Sequence, residues 1–313
     1  MNDPDLHLLV DDHEIQEYIN LKRIINKPRK LPEPLIVSDR PWEGYRTQAW
    51  GSVIQEPDGL IRCWYFSTPA RKPGEDDVGG YCYAESRDGI RWTKPDLGLF
   101  EYNGSKHNNI IWTGIGVHNF APFLDTRPGC PRESRYKALA GTAKEGGLFA
   151  FHSPDGIHWS LMRDKPVVTQ GAFDSQNLAF WDTDRNEYRA YWRYFGDGVR
   201  SIRTATSRDF ITWENEADLT YTKGTPREHL YTNAVTPYPR APHICVGFPK
   251  RFVPTRQPPH HPTTGISDTV FMTSRDGLQW RRWTEAFIRP GLQKERWVNR
   301  NNMTAWGILE TKA

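Results

Sequence analysis

Ser86-Arg87-Asp88-Gly89-Ile90-Arg91-Trp92 decides the fold, because it recurs. Copies stand at Ser153-Pro154-Asp155-Gly156-Ile157-His158-Trp159, Ser207-Arg208-Asp209-Phe210-Ile211-Thr212-Trp213 and Ser274-Arg275-Asp276-Gly277-Leu278-Gln279-Trp280. A near-regular repeat of this kind sets the architecture. Ahead of each copy runs an alternating apolar stretch: Gly80 to Ala84, Leu148 to Phe151, Ile202 to Thr206 and Thr269 to Thr273. Such stretches read as strands. In three copies Asp-Gly follows, with Asp bonding backbone N–H groups and Gly supplying a positive φ. The third copy carries Phe210 instead, which allows a different turn there. The Trp then opens the next strand and buries its ring under the turn. Each copy is a strand–turn–strand corner. Its Asp pins a turn, since four separated copies cannot all be one active site.

The chain has 313 residues, 13% aromatic, with 25 Gly and 24 Pro to make turns. No long helical period appears beyond the N-terminal segment, so the composition is all-β. Length alone would allow two domains, but the continuous repeat argues for one. The 41 basic and 38 acidic residues nearly cancel, and the basic ones are scattered, which gives no case for nucleic acid. No apolar run approaches the ~18 residues that a membrane helix needs. Met1 leads into polar sequence with no visible signal peptide, so the chain as written reads as cytoplasmic, or as secreted or periplasmic if a leader has been removed. Cys63, Cys82, Cys130 and Cys245 form no CxxC pair, so burial is their expected role and a zinc site is not.

Residues 1–40 read as an arm, in which Leu21 to Asn26 alternates weakly like a strand and Pro28, Pro32 and Pro34 enforce extension. Residues 41–313 then divide into repeated units at about 41–95, 110–162, 172–216 and 228–284, with a partial unit over 297–313. Four four-stranded antiparallel units and the start of a fifth predict a five-bladed β-propeller whose last blade is either incomplete at the C-terminus or irregular. The arm is expected to add a strand to that blade. The first strand of each blade lines the channel, and the loops leading into these strands meet at one face, the natural ligand site.

Leu9-Val10-Asp11-Asp12-His13, Pro41-Trp42-Glu43-Gly44, the corner at Ser86 with Pro95-Asp96-Leu97-Gly98 and Tyr102-Asn103-Gly104-Ser105, and Tyr231-Thr232-Asn233-Ala234-Val235 together resemble an uncharacterised bacterial family. That family is related to the five-bladed propeller glycosyl hydrolases, the group of invertases, arabinanases and β-xylosidases. The resemblance covers nearly the whole chain. It implies a glycosidase with an oligosaccharide or glycoside substrate, no membrane partner and no cofactor, although relatives sometimes hold a calcium or water in the channel. It also implies three carboxylates on the first strands of successive blades. Here the sequence departs: Trp50-Gly51-Ser52 carries no Asp, His118-Asn119 stands where Asp-Pro is expected, and blade three has Asp174-Ser175-Gln176-Asn177.

Glycoside hydrolysis needs a protonated carboxyl beside an ionised one. Glu43, Asp174 and Glu228 precede first strands and are the catalytic candidates, with Glu228 as acid and Asp174 as base or pKa setter. His118, Asn119, Gln176, Asn177, Asn233 and Arg300 suit sugar hydroxyls, or else satisfy backbone groups in the channel. His229 would tune Glu228. Arg46 and Arg193 are candidates for a substrate carboxylate or for pairing with acidic neighbours, and Trp42 and Trp297 for ring stacking or for packing. His260-His261 lacks a third ligand nearby, so no metal is expected. Asp125, Asp182 and Asp184 follow first strands at the opposite face and read as turn residues. Two rival functions remain beside the enzyme: a carbohydrate-binding propeller without turnover, and a truncated inactive homologue.

Overall fold

The structure is a computed structural model, which describes residues 6–48, 50–68, 79–258, 262–291 and 302–310. Four sheets follow one another along the chain, antiparallel but for the short parallel pairing of Thr220–Tyr221 with Gln279–Ile288 in the fourth. Sheet one starts with a strand interrupted between Arg46–Gln48 and Val53–Gln55, then adds Ile61–Thr68, Gly80–Ser86 and Ile110–Trp112. Sheet two is Ala121–Leu124, Tyr136–Ala140, Phe149–Ser153 and Ser160–Leu161. Sheet three is Leu178–Asp182, Glu187–Gly196, Val199–Ser207 and Glu214–Asp218. Sheet four places the interrupted pair His229–Leu230 and Thr236–Tyr238 beside Lys250–Val253 and Ala241–Gly247, followed by Ile266–Ser274 and Gln279–Ile288. Among the described residues the only helical segments are three 3₁₀ turns. No helix among them is long and apolar enough to cross a membrane.

The inner strands Ile61–Thr68, Tyr136–Ala140 and Leu178–Asp182 are buried on both faces, whereas the outer strand Glu214–Asp218 is mostly exposed. In Ile61–Thr68, Trp64 and Phe66 point toward sheet two, where they join Phe120, Tyr136 and Phe151. Cys63 and Tyr65 point the other way, into a cluster with Cys82, Ile110 and Trp42. A second large cluster joins sheets two, three and four through Phe123, Tyr188, Trp192, Phe210, Met272 and Trp280. The aromatic rings meet mostly edge to face, as Phe120 does with Trp159 at 4.8 Å and Tyr188 with Phe210 at 5.1 Å. Such pairs add about 0.5–1.5 kcal/mol each beyond their buried area. All four cysteines are free thiols, and burial pushes Cys63, Cys82 and Cys245 up to about 12.

The corners that defined the repeat share one hydrogen-bond scheme. Ser153 Oγ accepts from Gly156 N at 2.8 Å, while Asp155 Oδ1 accepts from Ile157 N and His158 N at 2.9 and 2.8 Å. The third corner keeps this scheme, with Phe210 N on Ser207 Oγ at 2.9 Å and Asp209 Oδ1 taking Ile211 N and Thr212 N. Phe210 adopts a φ of 69°, the left-handed region that Gly occupies in the other copies. Its turn therefore does not differ as its sequence allowed. The ring explains the tolerance, since it is fully buried against Phe123, Tyr188 and Trp213. One detail does change. In the other corners the indole N–H donates to the carbonyl of Gly89, Gly156 or Gly277, whereas that of Trp213 has no partner among the described residues.

Three sequence expectations need correction. Ile110–Trp112, placed at the opening of the second unit, instead completes sheet one by pairing with Gly80–Ser86. The arm, expected to lend a strand, has none among residues 6–40. Leu6, Leu8 and Val10 instead cover Ala241, Ile244 and Val246 on sheet four, and Asp11 pairs with Arg275 at 2.8 Å. The C-terminal segment 302–310 forms no sheet of its own. It touches the first strand of sheet one through a parallel bridge between Ser52 and Trp306.

The first strands of all four sheets converge. Val53 to Gln55, Phe123, Leu124, Phe180, Trp181, Thr236 and Pro237 line one cavity of about 410 Å³ together with Trp306 to Glu310. Trp306 is buried there, its indole N–H on Val235 O at 2.8 Å.

Candidate functional site

At the other end of these strands, residues from the interruptions of the first strands of sheets one and four meet residues just ahead of the first strands of sheets two and three. Trp50, His118, Asp174 and Tyr231 come from the four successive sheets. The Trp50 ring lies 5.3 Å from His118 and 6.1 Å from Tyr231. His118 Nε2 is 2.7 Å from Asp174 Oδ1. Gly51 makes the first of these positions possible, because a Cβ there would fall 1.8 Å from the Trp64 carbonyl oxygen. Only glycine allows so close a backbone approach, and it fixes Trp50, itself largely buried in the core between sheets one and two, beside His118 and Tyr231.

Asp174 is the exposed carboxylate of this group, its side chain 63% accessible. The hydrogen bond with His118, followed by the charge of Arg193 and a bond with Tyr231, holds its carboxyl below the usual Asp range. It is therefore ionised at neutral pH, the state required of a base or nucleophile. Basic residues stand over the Tyr231 ring: Arg193 and Lys250 at 4.4 Å from its centroid and Arg200 at 5.4 Å. Burial, then the neighbouring Arg200 and Arg193, bring Lys250 down to about 8. His229 flanks this group, with Nδ1 accepting from Arg200 N at 3.2 Å. Burial pulls its imidazole below the ordinary value.

The structure does not bring the three expected carboxylates together. Glu43 is fully buried on the face of sheet one turned away from sheet two. It accepts from Tyr65 OH at 2.6 Å, from the backbone of Asp39 and Arg40 at 3.0 Å, and pairs with Lys94 at 2.7 Å. A carboxylate taken wholly out of water needs such partners, and these consume both oxygens. Glu228 gives one oxygen to Arg251 at 3.0 Å and the other to Arg282 at 2.6 Å. Neither residue shares a hydrogen-bond or ion-pair partner with Asp174 among the described residues.

Most of the expected sugar-binding amides serve the backbone. Asn119 binds Gly141 O, Gly141 N and Phe173 O, all within 2.9 Å. Asn177 bonds Phe173 O, Gln176 bonds Ala234 N, and Asn233 bonds Gln176 O and Val235 N. All four are fully or almost fully buried. Arg46 stacks on Tyr45 at 5.0 Å and Trp42 bonds Asn109 at 2.6 Å. Arg300, Trp297, His260 and His261 lie outside the described residues. Among the described residues no group of three His, Cys, Asp or Glu side chains is placed to hold a metal ion. Asp125 and Asp182 anchor turns as expected: Asp125 takes Arg127 N and the buried Lys137, and Asp182 takes Asp184 N and Arg185 N. The sequence reading missed Trp50, Tyr231, Arg200 and Lys250. The signal for the first two was position, at the channel-lining segment of a first strand, close to that of His118 and Asp174 just ahead of theirs.

No family model matches the chain. Two uncharacterised proteins of Mycobacterium tuberculosis, from strains CDC 1551 / Oshkosh and ATCC 25618 / H37Rv, are each 26% identical to it over 153 and 155 residues. The matched part is 47% of this chain and 45% of each relative, so less than half of those proteins is spanned. Among solved structures, one described as a glycoside hydrolase superposes with a TM-score of 0.50 at 14% identity, covering 77% of this chain and 74% of its own. A thermostable family-43 glycoside hydrolase gives 0.49 at 13% identity over 77% and 73%. An N-acetylgalactosamine deacetylase from F. plautii gives 0.49 at 17% identity over 82% and 70%. At such identities the likeness is one of fold: the chain has the β-propeller architecture found among glycoside hydrolases.

Proposed function

We propose that the protein is glycoside hydrolase-like and seats a saccharide at the rim formed by Trp50, His118, Asp174 and Tyr231. The observation that carries this reading is their convergence from four sheets onto one exposed, ionised carboxylate flanked by aromatic rings. Aromatic faces suit the C–H faces of a sugar ring, and His118, Asp174 and Tyr231 supply donors and acceptors for its hydroxyls. In a hydrolase Asp174 would act as the ionised partner, stabilising the oxocarbenium-like centre or activating water. His118 positions it.

One observation favours the second reading, saccharide binding without turnover. Hydrolysis also requires a protonated acid, and Glu228, the residue expected in that role, is clasped by Arg251 and Arg282. A single assay separates the two. Wild type and Asp174→Asn are incubated with a panel of oligosaccharides and aryl glycosides, and both reducing-sugar release and binding are followed. Release that falls at least about 100-fold in the variant establishes the hydrolase. Saturable binding without release establishes the binding protein. Absence of both in wild type would overturn the saccharide reading.

A further inference from the structure

Two of the cations around Tyr231, Arg193 and Arg200, share a single nearby carboxylate, Asp174, among the described residues. Several half-buried arginines elsewhere in the molecule are paired, Arg251 with Glu228 and Asp268, Arg203 with Glu216 and Asp218, Arg185 with Asp182, although Arg46 and Arg127 have no such pair among the described residues. Arg193 and Arg200 have no ion pair within 4 Å among the described residues. Arg193 is almost fully buried and turns its Nε to Ala172 O at 3.0 Å. Arg200 keeps a buried Nε with no hydrogen-bond partner among those residues. Lys250 stands beside them, and Asp174 is the carboxylate whose charge reaches Arg193 and Lys250. Keeping like charges so close, and partly out of water, costs stability unless something answers them.

We propose that the ligand of this rim carries a carboxylate: a uronic acid residue of an oligosaccharide, its acid group between Arg193 and Arg200 and its ring beside Trp50 and Tyr231. This rests on the saccharide reading and names the class of sugar. A guanidinium fork matches a carboxylate in two parallel hydrogen bonds, which a neutral hydroxymethyl group cannot reproduce. Among the described residues Arg193, Arg200, Asp174 and Tyr231 face Lys250. A bound carboxylate favours the charged lysine, so affinity falls as pH rises above about 8.

The test is calorimetry of the full chain with oligogalacturonate and oligoglucuronate, their methyl esters, and neutral oligosaccharides of matched length, at constant salt. The free acid is expected to bind at least about tenfold more tightly than its ester. Arg200→Gln should bring the acid down to the level of the ester. Arg203→Gln, a change of equal charge on an arginine already paired with Glu216 and Asp218, should alter neither. If the melting midpoint shows that Arg200→Gln is misfolded, Arg200→Lys replaces it and should still weaken the acid selectively. Esters or neutral sugars binding as tightly as the acids would overturn this inference and leave the saccharide site standing. Absence of binding by every saccharide would overturn both.

Discussion

Phe210 shows how one residue can break a local rule because the packing around it outweighs the cost. A non-glycine residue at φ 69° is strained by about 1–2 kcal/mol. Removing a buried Phe side chain costs about 3–5 kcal/mol. Phe210→Gly is therefore expected to destabilise the protein by about 2 kcal/mol, read as a lower denaturation midpoint, although it restores the residue found in the other corners. A gain in stability would show that the strain had been underweighted. Gly51 is the opposite case. With a Cβ due 1.8 Å from a backbone oxygen, Gly51→Ala must shift the strand. It should lower the melting midpoint and weaken saccharide binding together, because Trp50 moves with it.

The corner element carries its own pH dependence. Burial alone would raise Asp155, Asp209 and Asp276, but their bonds from backbone N–H groups outweigh it, and at Asp88 those bonds dominate outright. All four carboxyls sit below the ordinary value of 3.8 in the folded protein. A depressed folded value means the stabilisation is fully present above the unfolded value and is lost as pH falls through the folded one. Stability should therefore decline below about pH 4, and less steeply in Asp209→Asn. Asp276→Ala, which strips the single Oδ1 acceptor shared by Leu278 N and Gln279 N, should cost about 1 kcal/mol in urea denaturation and leave saccharide binding untouched. Loss of binding in that variant would contradict a purely structural corner. These corners were legible in the sequence because their chemistry is local: Ser, Asp and Trp act within seven residues. The candidate site was less legible because its members meet only through the fold. Glu43 looks like an approach-loop carboxylate until Tyr65 and Lys94, far along the chain, close over it. Asn119 and Gln176 look like sugar ligands until the carbonyls and amides they satisfy are seen. Asp174 and His118 were recognised by position, and the same argument extends to Trp50 and Tyr231.

At the scale of the whole molecule, sheets one and four each turn one face away from the others, and chain segments cover those faces. Ile36, Trp42 and Phe100 lie over sheet one, while Leu6, Leu8 and Val10 lie over sheet four, pinned by Asp11 to Arg275. Removing residues 1–12 should bare Ala241, Ile244 and Val246 and lower the melting midpoint by several degrees, the expectation for losing about 1–2 kcal/mol of apolar cover. An unchanged midpoint would mean that the arm is an accessory. The same architecture offers two places for a ligand: the rim at Trp50, His118, Asp174 and Tyr231, and the cavity at the other end of the first strands, lined by Phe123, Trp181 and Trp306. The rim carries the exposed carboxylate and the cations, and the cavity is walled mainly by apolar side chains. A crystal structure with the tightest-binding oligosaccharide separates them directly. Sugar density against Trp50 and Tyr231, within hydrogen-bond reach of Asp174, is the predicted result. Density confined to the cavity beside Trp306, with the rim empty, would contradict the account.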